Sequence, residues 1–207
     1  MIHGYHVILG LYGFWLPNDP RGSWSDFVAS WELAKFGRAT KSIERNEIDL
    51  PKWEAWRSAA LQSLKLPPVQ LSGIQAQGVG TGFANGVRKS GLTIWACSIM
   101  PEHIHLVIAR HTYKVEQICN LLKGEATKQL RKLSLHPRLN MEQQPGGKLE
   151  SMWAEHQWMV YLDCVEAIEA AIRYVEENPE KEGKPRQKWS FVTPFRGIDK
   201  GGWTTYH

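Results

Sequence analysis

Two histidines, His103 and His105, flank Ile104 inside an apolar run that follows Pro101 and Glu102. In an extended chain alternate side chains share a face, so both imidazoles point one way and Ile104 points into the core. Two imidazole nitrogens at that spacing can grip one metal ion. Taken alone, the pair equally suits two ordinary histidines on the wet face of a half-buried sheet. Farther along, Tyr174 and Asn178 lie four residues apart in a helical pattern and therefore share a helix face. A tyrosine there also suits a core edge, and an Asn-Pro pair is a common way to end a helix. The four residues together suggest a nucleophile beside a metal site. A phenol is mostly protonated at neutral pH and attacks weakly, so it needs an activated nucleophile or a polarised target.

The elements that must position these groups are legible as patterns. Residues 5–11 are an apolar run rich in strand formers, broken by the turn residues of 15–22. Residues 30–36 form a short helical pattern. A better helix opens at Leu50-Pro51, carries Trp53, Trp56, Ala60, Leu61 and Leu64 at helical spacing, and ends at Leu66-Pro67-Pro68. Residues 72–91 are read as a helix because Ser72 and Gln75 form a capping box and Val79, Phe83 and Val87 recur every fourth residue. Gly78, Gly80, Gly82 and Gly86 oppose that reading at about 1 kcal/mol each, with a glycine-rich loop as the alternative. Residues 92–100 and 104–109 suggest a hairpin around Pro101-Glu102. Residues 114–132 are amphipathic, with Val115, Ile118, Leu122, Ala126, Leu130 and Leu133 facing the core and Lys123, Lys128, Arg131 and Lys132 elsewhere. A polar loop over 134–148 and a strand over 153–161 follow. Asp163, with Glu166, is expected to cap a last helix running to about Glu177. Its stripe is Val165, Ile168, Ile172 and Val175, and Pro179 lies past its end. This order predicts an α+β domain with a central antiparallel sheet flanked by helices.

Composition bounds the rest. The chain has 207 residues, 43% hydrophobic and 22% charged, which is enough for a sizeable core in one domain. No run of about 18 apolar residues exists, so no membrane span is expected, and the N-terminus lacks a signal-peptide pattern. The three cysteines, Cys97, Cys119 and Cys164, are read as reduced core residues of a cytoplasmic protein. The net charge of +4 tolerates a polyanionic partner without demonstrating one. The ten tryptophans are read mainly as packing.

The run Pro101-Glu102-His103-Ile104-His105-Leu106-Val107 resembles the His-hydrophobic-His motif of the HUH single-strand nucleases. Ala171-Ile172-Arg173-Tyr174-Val175-Glu176-Glu177-Asn178-Pro179 resembles the nucleophile helix of their single-tyrosine transposases. The pattern is nearest to the REP-associated tyrosine transposases, whose helix reads tyrosine, three residues, asparagine, proline. The Trp15-to-Gly22 turn, Leu121-Leu122-Lys123-Gly124 and Trp153-Ala154-Glu155 agree in order. Residues 25–90 match poorly, and Glu176 and Glu177 are unexpected beside a DNA site.

This resemblance implies a ferredoxin-like HUH fold over residues 1–207, with an insertion at about 15–90 and a C-terminal tail at about 184–207. It implies that Tyr174 attacks a DNA phosphate, giving a 5′-phosphotyrosine and a free 3′-hydroxyl that can later reverse the step. His103, His105 and Asn178 would hold one Mg²⁺ or Mn²⁺ ion. The implied partner is single-stranded DNA bearing hairpins, in the cytoplasm and nucleoid. Lys123, Lys128, Arg131 and Lys132 are candidates for backbone contacts, with a solvated helix face as the plain alternative. Rolling-circle initiators and relaxases share the histidines and tyrosine but usually carry extra domains. A domesticated, non-cleaving DNA-binding protein would keep the fold, and a His-x-His metalloprotein unrelated to DNA would have no affinity for single strands. The family includes monomers and dimers that exchange the tyrosine helix, and the chain between His105 and Tyr174 is long enough for either.

Overall fold

The apolar run near the N-terminus is nearly continuous because the strand it forms is central and covered on both faces. This strand, β1 (Gly4–Leu11), pairs antiparallel with β3 (His103–Ala109) on one side and with β4 (Trp153–Leu162) on the other. A further strand, β2 (Ile94–Ile99), pairs antiparallel with β3 and completes a four-stranded sheet of order β2-β3-β1-β4. The computed structural model describes residues 1–14, 50–141 and 149–198, with 50–53 described only as helical backbone. Its helices are α1 (Leu50–Gln62), α2 (Gly73–Ser90), α3 (Val115–Lys132) and α4 (Val165–Lys181). With α2 between β1 and β2, and α3 between β3 and β4, the chain follows the split βαβ plan of ferredoxin-like folds. The α+β class read from the sequence is the class observed.

Strand alternation sorts the core into two layers. Val7, Leu9, Leu11, Ile104, Leu106 and Ile108 face α2 and α3 and form the larger cluster with Val79, Phe83, Ile118, Leu122 and Leu130. On the opposite face Ala96, Val107 and Leu162 meet Ile168, Ala171 and Val175 of α4. The ferredoxin plan thus accounts for one helical layer, and α4 covers the face it leaves bare.

The helix reading for the glycine-rich segment holds, and tertiary packing explains the glycines. Ser72 and Gln75 form the expected capping box, and Gly91 ends the helix at φ 63°. A methyl group at Gly82 would meet Ala126 Cα at 2.5 Å and the Ala126 nitrogen at 2.7 Å, so α2 and α3 touch backbone to backbone there. At Gly80 the indole of Trp189 occupies the same kind of space. The propensity cost of these glycines is offset by an approach that no side chain permits.

Several boundaries differ from expectation. Helix α1 ends at Gln62, before Leu66-Pro67-Pro68. Helix α4 starts from Cys164, which makes no side-chain cap bond, so Asp163 is not the cap. It also runs through Pro179, itself buried, to Lys181, because a proline's missing N–H costs one bond and need not end a helix that packing holds in place. Cys97 and Cys119 are buried as expected, whereas Cys164 is exposed at that helix start. The proposed insertion at about 15–90 overlaps α2, an integral layer of the fold. The turn at 15–22 and the short helix at 30–36 lie outside the described residues. Among the described residues no helix is long and apolar enough to cross a membrane.

Residues 184–198, expected as a tail, run along the sheet edge. Gln187 accepts from the Ile99 N–H at 2.7 Å and donates to the Ile99 carbonyl at 2.8 Å, while the Thr193 N–H donates to the Ile94 carbonyl at 2.8 Å. The free edge of β2 is thereby covered along part of its length.

The glycine contacts give a paired test. Gly124 lies inside α3, and an added methyl there meets nothing within 4 Å. Gly124→Ala is expected to stabilise by about 1 kcal/mol through helix propensity. Gly82→Ala gains the same propensity yet is expected to destabilise by about 1–3 kcal/mol through overpacking. Urea unfolding of both variants checks this; equal stability of the two would refute the close α2–α3 approach.

Candidate functional site

Register builds the site on the α4-covered face of the sheet. His103 stands opposite Gly10 and His105 opposite Ile8 of β1, so all four share one face. His6, two residues before Ile8, shares that face as well. Ser98 of β2 stands opposite His105 from the other side. Rather than lying on a wet surface, the two predicted histidines are buried, with His105 only 2% exposed. The Phe14 ring stacks on His103 at 4.5 Å between centroids, and the His103 and His105 rings meet edge to face at 4.8 Å.

Helix α4 brings the remaining predicted residues to this face. The Tyr174 ring packs edge to face against His105 at 5.5 Å and His6 at 5.6 Å, and the residue stays 44% exposed. Its position one residue before the buried Val175 puts it at the rim of the α4 contact, facing both histidines and solvent. Asn178, one turn later, is buried, and its Oδ1 has no hydrogen-bond partner. Orphaned buried acceptors are uncommon and ask for a reason. Lys181, another turn on, holds its ammonium 4.4 Å from the centre of the Tyr174 ring.

Burial controls the charge state of the imidazoles. Desolvation lowers the His105 pKa to about 2, assisted by the nearby charges of His103, His6 and Lys181. Desolvation alone lowers that of His6 to about 4. Both rings are therefore neutral at physiological pH and keep a lone pair. Among the described residues no three of His, Cys, Asp and Glu group to hold a metal ion, so a protein ligand set here would draw on an amide oxygen. The unpartnered Oδ1 of Asn178 fits that need, since a hard divalent cation favours oxygen. A cavity of about 300 Å³ opens beside His103, lined also by Gln70, Pro101, Glu102 and Glu182.

The four basic residues proposed for DNA do not gather at this site. They lie on α3, which packs on the other face of the sheet. Lys123 is buried and donates to the Ala154 carbonyl at 3.1 Å, which corrects the expectation that it reaches a phosphate. Lys128 is exposed and paired with Glu125 at 2.9 Å, and Arg131 and Lys132 are exposed. Near the tyrosine, Glu176 is exposed and Glu177 half-buried. Arg186 bonds Glu180 at 2.9 Å and lies within electrostatic reach of both.

Sequence reasoning did not single out His6, Ser98, Phe14 or Lys181. Only His6 left a signal, as a polar residue at an inward position of a strand otherwise apolar on both faces.

The buried imidazoles make stability depend on pH. Their folded-state pKa values lie below the ordinary value of about 6.5. Above that pH both folded and unfolded chains hold neutral rings, and the full stability is present. As pH falls below it, only the unfolded chain takes up protons, so stability falls toward pH 4 for His6 and further for His105. Each group contributes up to about 1.4 kcal/mol per pH unit in that window. Urea unfolding at pH 7.5, 6 and 5 is expected to give a clearly shallower slope in His105→Gln than in the wild type; identical slopes would mean that His105 titrates normally.

With this geometry in hand, comparison with known proteins is direct. No curated protein matches the chain. One solved structure similar to it is a REP-associated tyrosine transposase bound to a REP hairpin, at 12% identity over 87% of this chain and 68% of that chain, with a TM-score of 0.46. Another is a putative transposase from Deinococcus radiodurans R1, at 16% identity over 90% of this chain and 94% of that chain, with a TM-score of 0.38. The family model described as "Transposase IS200 like" matches residues 72–178, more than half of the 207. That span carries His103, His105, Tyr174 and Asn178, and the chain belongs to the IS200-like transposase family.

Proposed function

We propose that this transposase-family protein is a metal-dependent single-strand DNA endonuclease and strand transferase with Tyr174 as its nucleophile. The observation that carries the reading is the meeting of a half-exposed phenol with His105 at 5.5 Å, one helical turn from the buried, unpartnered amide oxygen of Asn178. His103, His105 and Asn178 would hold one Mg²⁺ or Mn²⁺ ion. When bound, such an ion draws charge from a scissile phosphate oxygen and makes the phosphorus more open to attack.

The chain's own groups then have defined tasks. Tyr174 presents its hydroxyl at the rim of α4, where a strand can reach it from solvent. Its oxygen forms a bond to phosphorus as the bond from phosphorus to the 3′-oxygen breaks. The phenolic proton is released, and the leaving oxygen takes up a proton to become a 3′-hydroxyl. The phosphotyrosine link keeps the phosphodiester energy, so a free 3′-hydroxyl can reverse the step and join strands. Lys181 supplies positive charge beside the nucleophile, where a phosphate would gather. The burial of His105 keeps it neutral and able to ligate.

The working unit in this reading is a monomer or a homodimer. The tyrosine, three residues, asparagine, proline order supports hairpin-bearing single-stranded DNA as the substrate. Lys128, Arg131 and Lys132, on the far helical layer, would meet only a segment of DNA that passes round the sheet edge.

The test is a trapped covalent adduct. Hairpin-bearing single-stranded oligonucleotides with Mn²⁺ are expected to give a slower band on a denaturing gel, lost with a chelator and absent in Tyr174→Phe. His105→Ala and Asn178→Ala are expected to cut more than about 100-fold more slowly, since even a supporting residue of a metal site costs about 10–100-fold. Both variants should bind the hairpin within a few-fold of wild type. An adduct that persists in Tyr174→Phe would sink the assignment of the nucleophile. No adduct with any such DNA, despite binding, would make this a non-cleaving DNA-binding protein.

A further inference from the structure

His6 touches both His105 and Tyr174 without belonging to the ligand or nucleophile set. Its Nε2 lies 3.2 Å from Nδ1 of His105. Its ring lies 5.5 Å from that of His105 with 25° between planes, 5.3 Å from Trp158, and 5.6 Å from Tyr174. The contact joins residues 99 positions apart, and the β1–β3 register holds it in place.

A hydrogen bond between two neutral imidazoles contains one proton and has two forms. If His6 donates, Nδ1 of His105 accepts, and the His105 proton must sit on Nε2. That nitrogen then has no lone pair and cannot ligate. If His105 donates from Nδ1, its Nε2 is bare and His6 carries its own proton on Nδ1. Only the second form is compatible with His105 as a metal ligand. A ligating imidazole usually donates its other N–H to a carboxylate, carbonyl or water, which fixes both tautomer and ring orientation. At Nδ1 of His105 a second imidazole fills the role.

We infer that His6 is a positioning residue, accepting the Nδ1–H of His105 and so leaving Nε2 of His105 free for a divalent cation; this rests on the metal-site reading above. Through its ring contact His6 also backs the Tyr174 side chain, so one residue of β1 aligns a ligand of β3 with the nucleophile of α4.

Two measurements on the full chain test this. Long-range ¹H–¹⁵N spectra of the metal-free protein report which nitrogen of each histidine carries the proton. The wild type is expected to show His105 protonated at Nδ1, and His6→Phe to show it mainly at Nε2. His6→Gln, whose amide oxygen can accept the same proton, should restore the Nδ1 form. Titration with Mn²⁺ without DNA should show affinity reduced about 10–100-fold in His6→Phe and within a few-fold of wild type in His6→Gln. A wild-type His105 protonated at Nε2, or Mn²⁺ affinity unchanged in a folded His6→Phe, would overturn the inference. If wild type binds no Mn²⁺, the metal-site reading fails, and the tautomer spectra still decide whether His6 sets the His105 proton. Should His6→Phe not fold, the comparison of His6→Gln with His6→Leu serves the same purpose.

Discussion

The whole site depends on the seam along which α4 lies across the open face of the sheet. Ala96, Val107 and Leu162 on the strands meet Ile168, Ala171 and Val175 on the helix, all buried. Full burial of a branched aliphatic side chain is worth about 1.5–3 kcal/mol, whereas an isolated helix of this length is marginal in water. The seam therefore decides where α4 sits and fixes its rotation. Val175 points into the sheet, so Tyr174, about 100° round the helix, must fall at the rim. A slip of one residue would carry the phenol away from both histidines. The geometry of the candidate site is inherited here from aliphatic packing.

How much of this was legible follows from the range of each interaction. The His-Ile-His face, the hairpin and the α4 stripe are local patterns, and the chain folds as they indicate. The capping box of α2 outweighed its glycines because Gly82 and Gly80 meet neighbours from α3 and from Trp189, which no local pattern reveals. His6 left only the signal of a polar residue at an inward position, because its meeting with His105 depends on a register across 99 positions. Lys123 was misjudged for a related reason. A long aliphatic stem can bury itself when a carbonyl waits at its end, here that of Ala154. Pro179 looked like a stop because proline usually is one, yet it is itself buried on the packed face of α4, which runs on to Lys181.

Electrostatics at the site is arranged by burial more than by pairing. The His105 and His6 rings are desolvated enough to stay neutral far below physiological pH, and a full positive charge, on Lys181, sits over the tyrosine ring. The acidic run around Glu176 and Glu177 seemed at odds with a DNA site. Its charge is partly offset by Arg186, which bonds Glu180, and a half-exposed tyrosine keeps access on its other side. Neutral donors inside and one cation at the rim suit a polyanion, whose own charge would be repelled by an unneutralised carboxylate.

The segment after α4 gives the seam a second anchor. Gly183, at φ 68°, turns the chain back, and the Lys184 N–H donates to the Pro179 carbonyl at 2.9 Å, closing the last helical turn. From there Gln187 bonds both backbone groups of Ile99, and Trp189 and Phe191 pack beside Gly80 and Phe83 of α2. The C-terminal end of α4, which bears Asn178 and Lys181, is thus tied by a short strap to β2 and to the helical layer behind the sheet. A buried amide oxygen without a partner is costly, and a helix free to move would turn it to water. Held between the aliphatic seam on one side and the strap on the other, the helix cannot easily release it, and the orphaned oxygen is kept buried one helical turn from Tyr174.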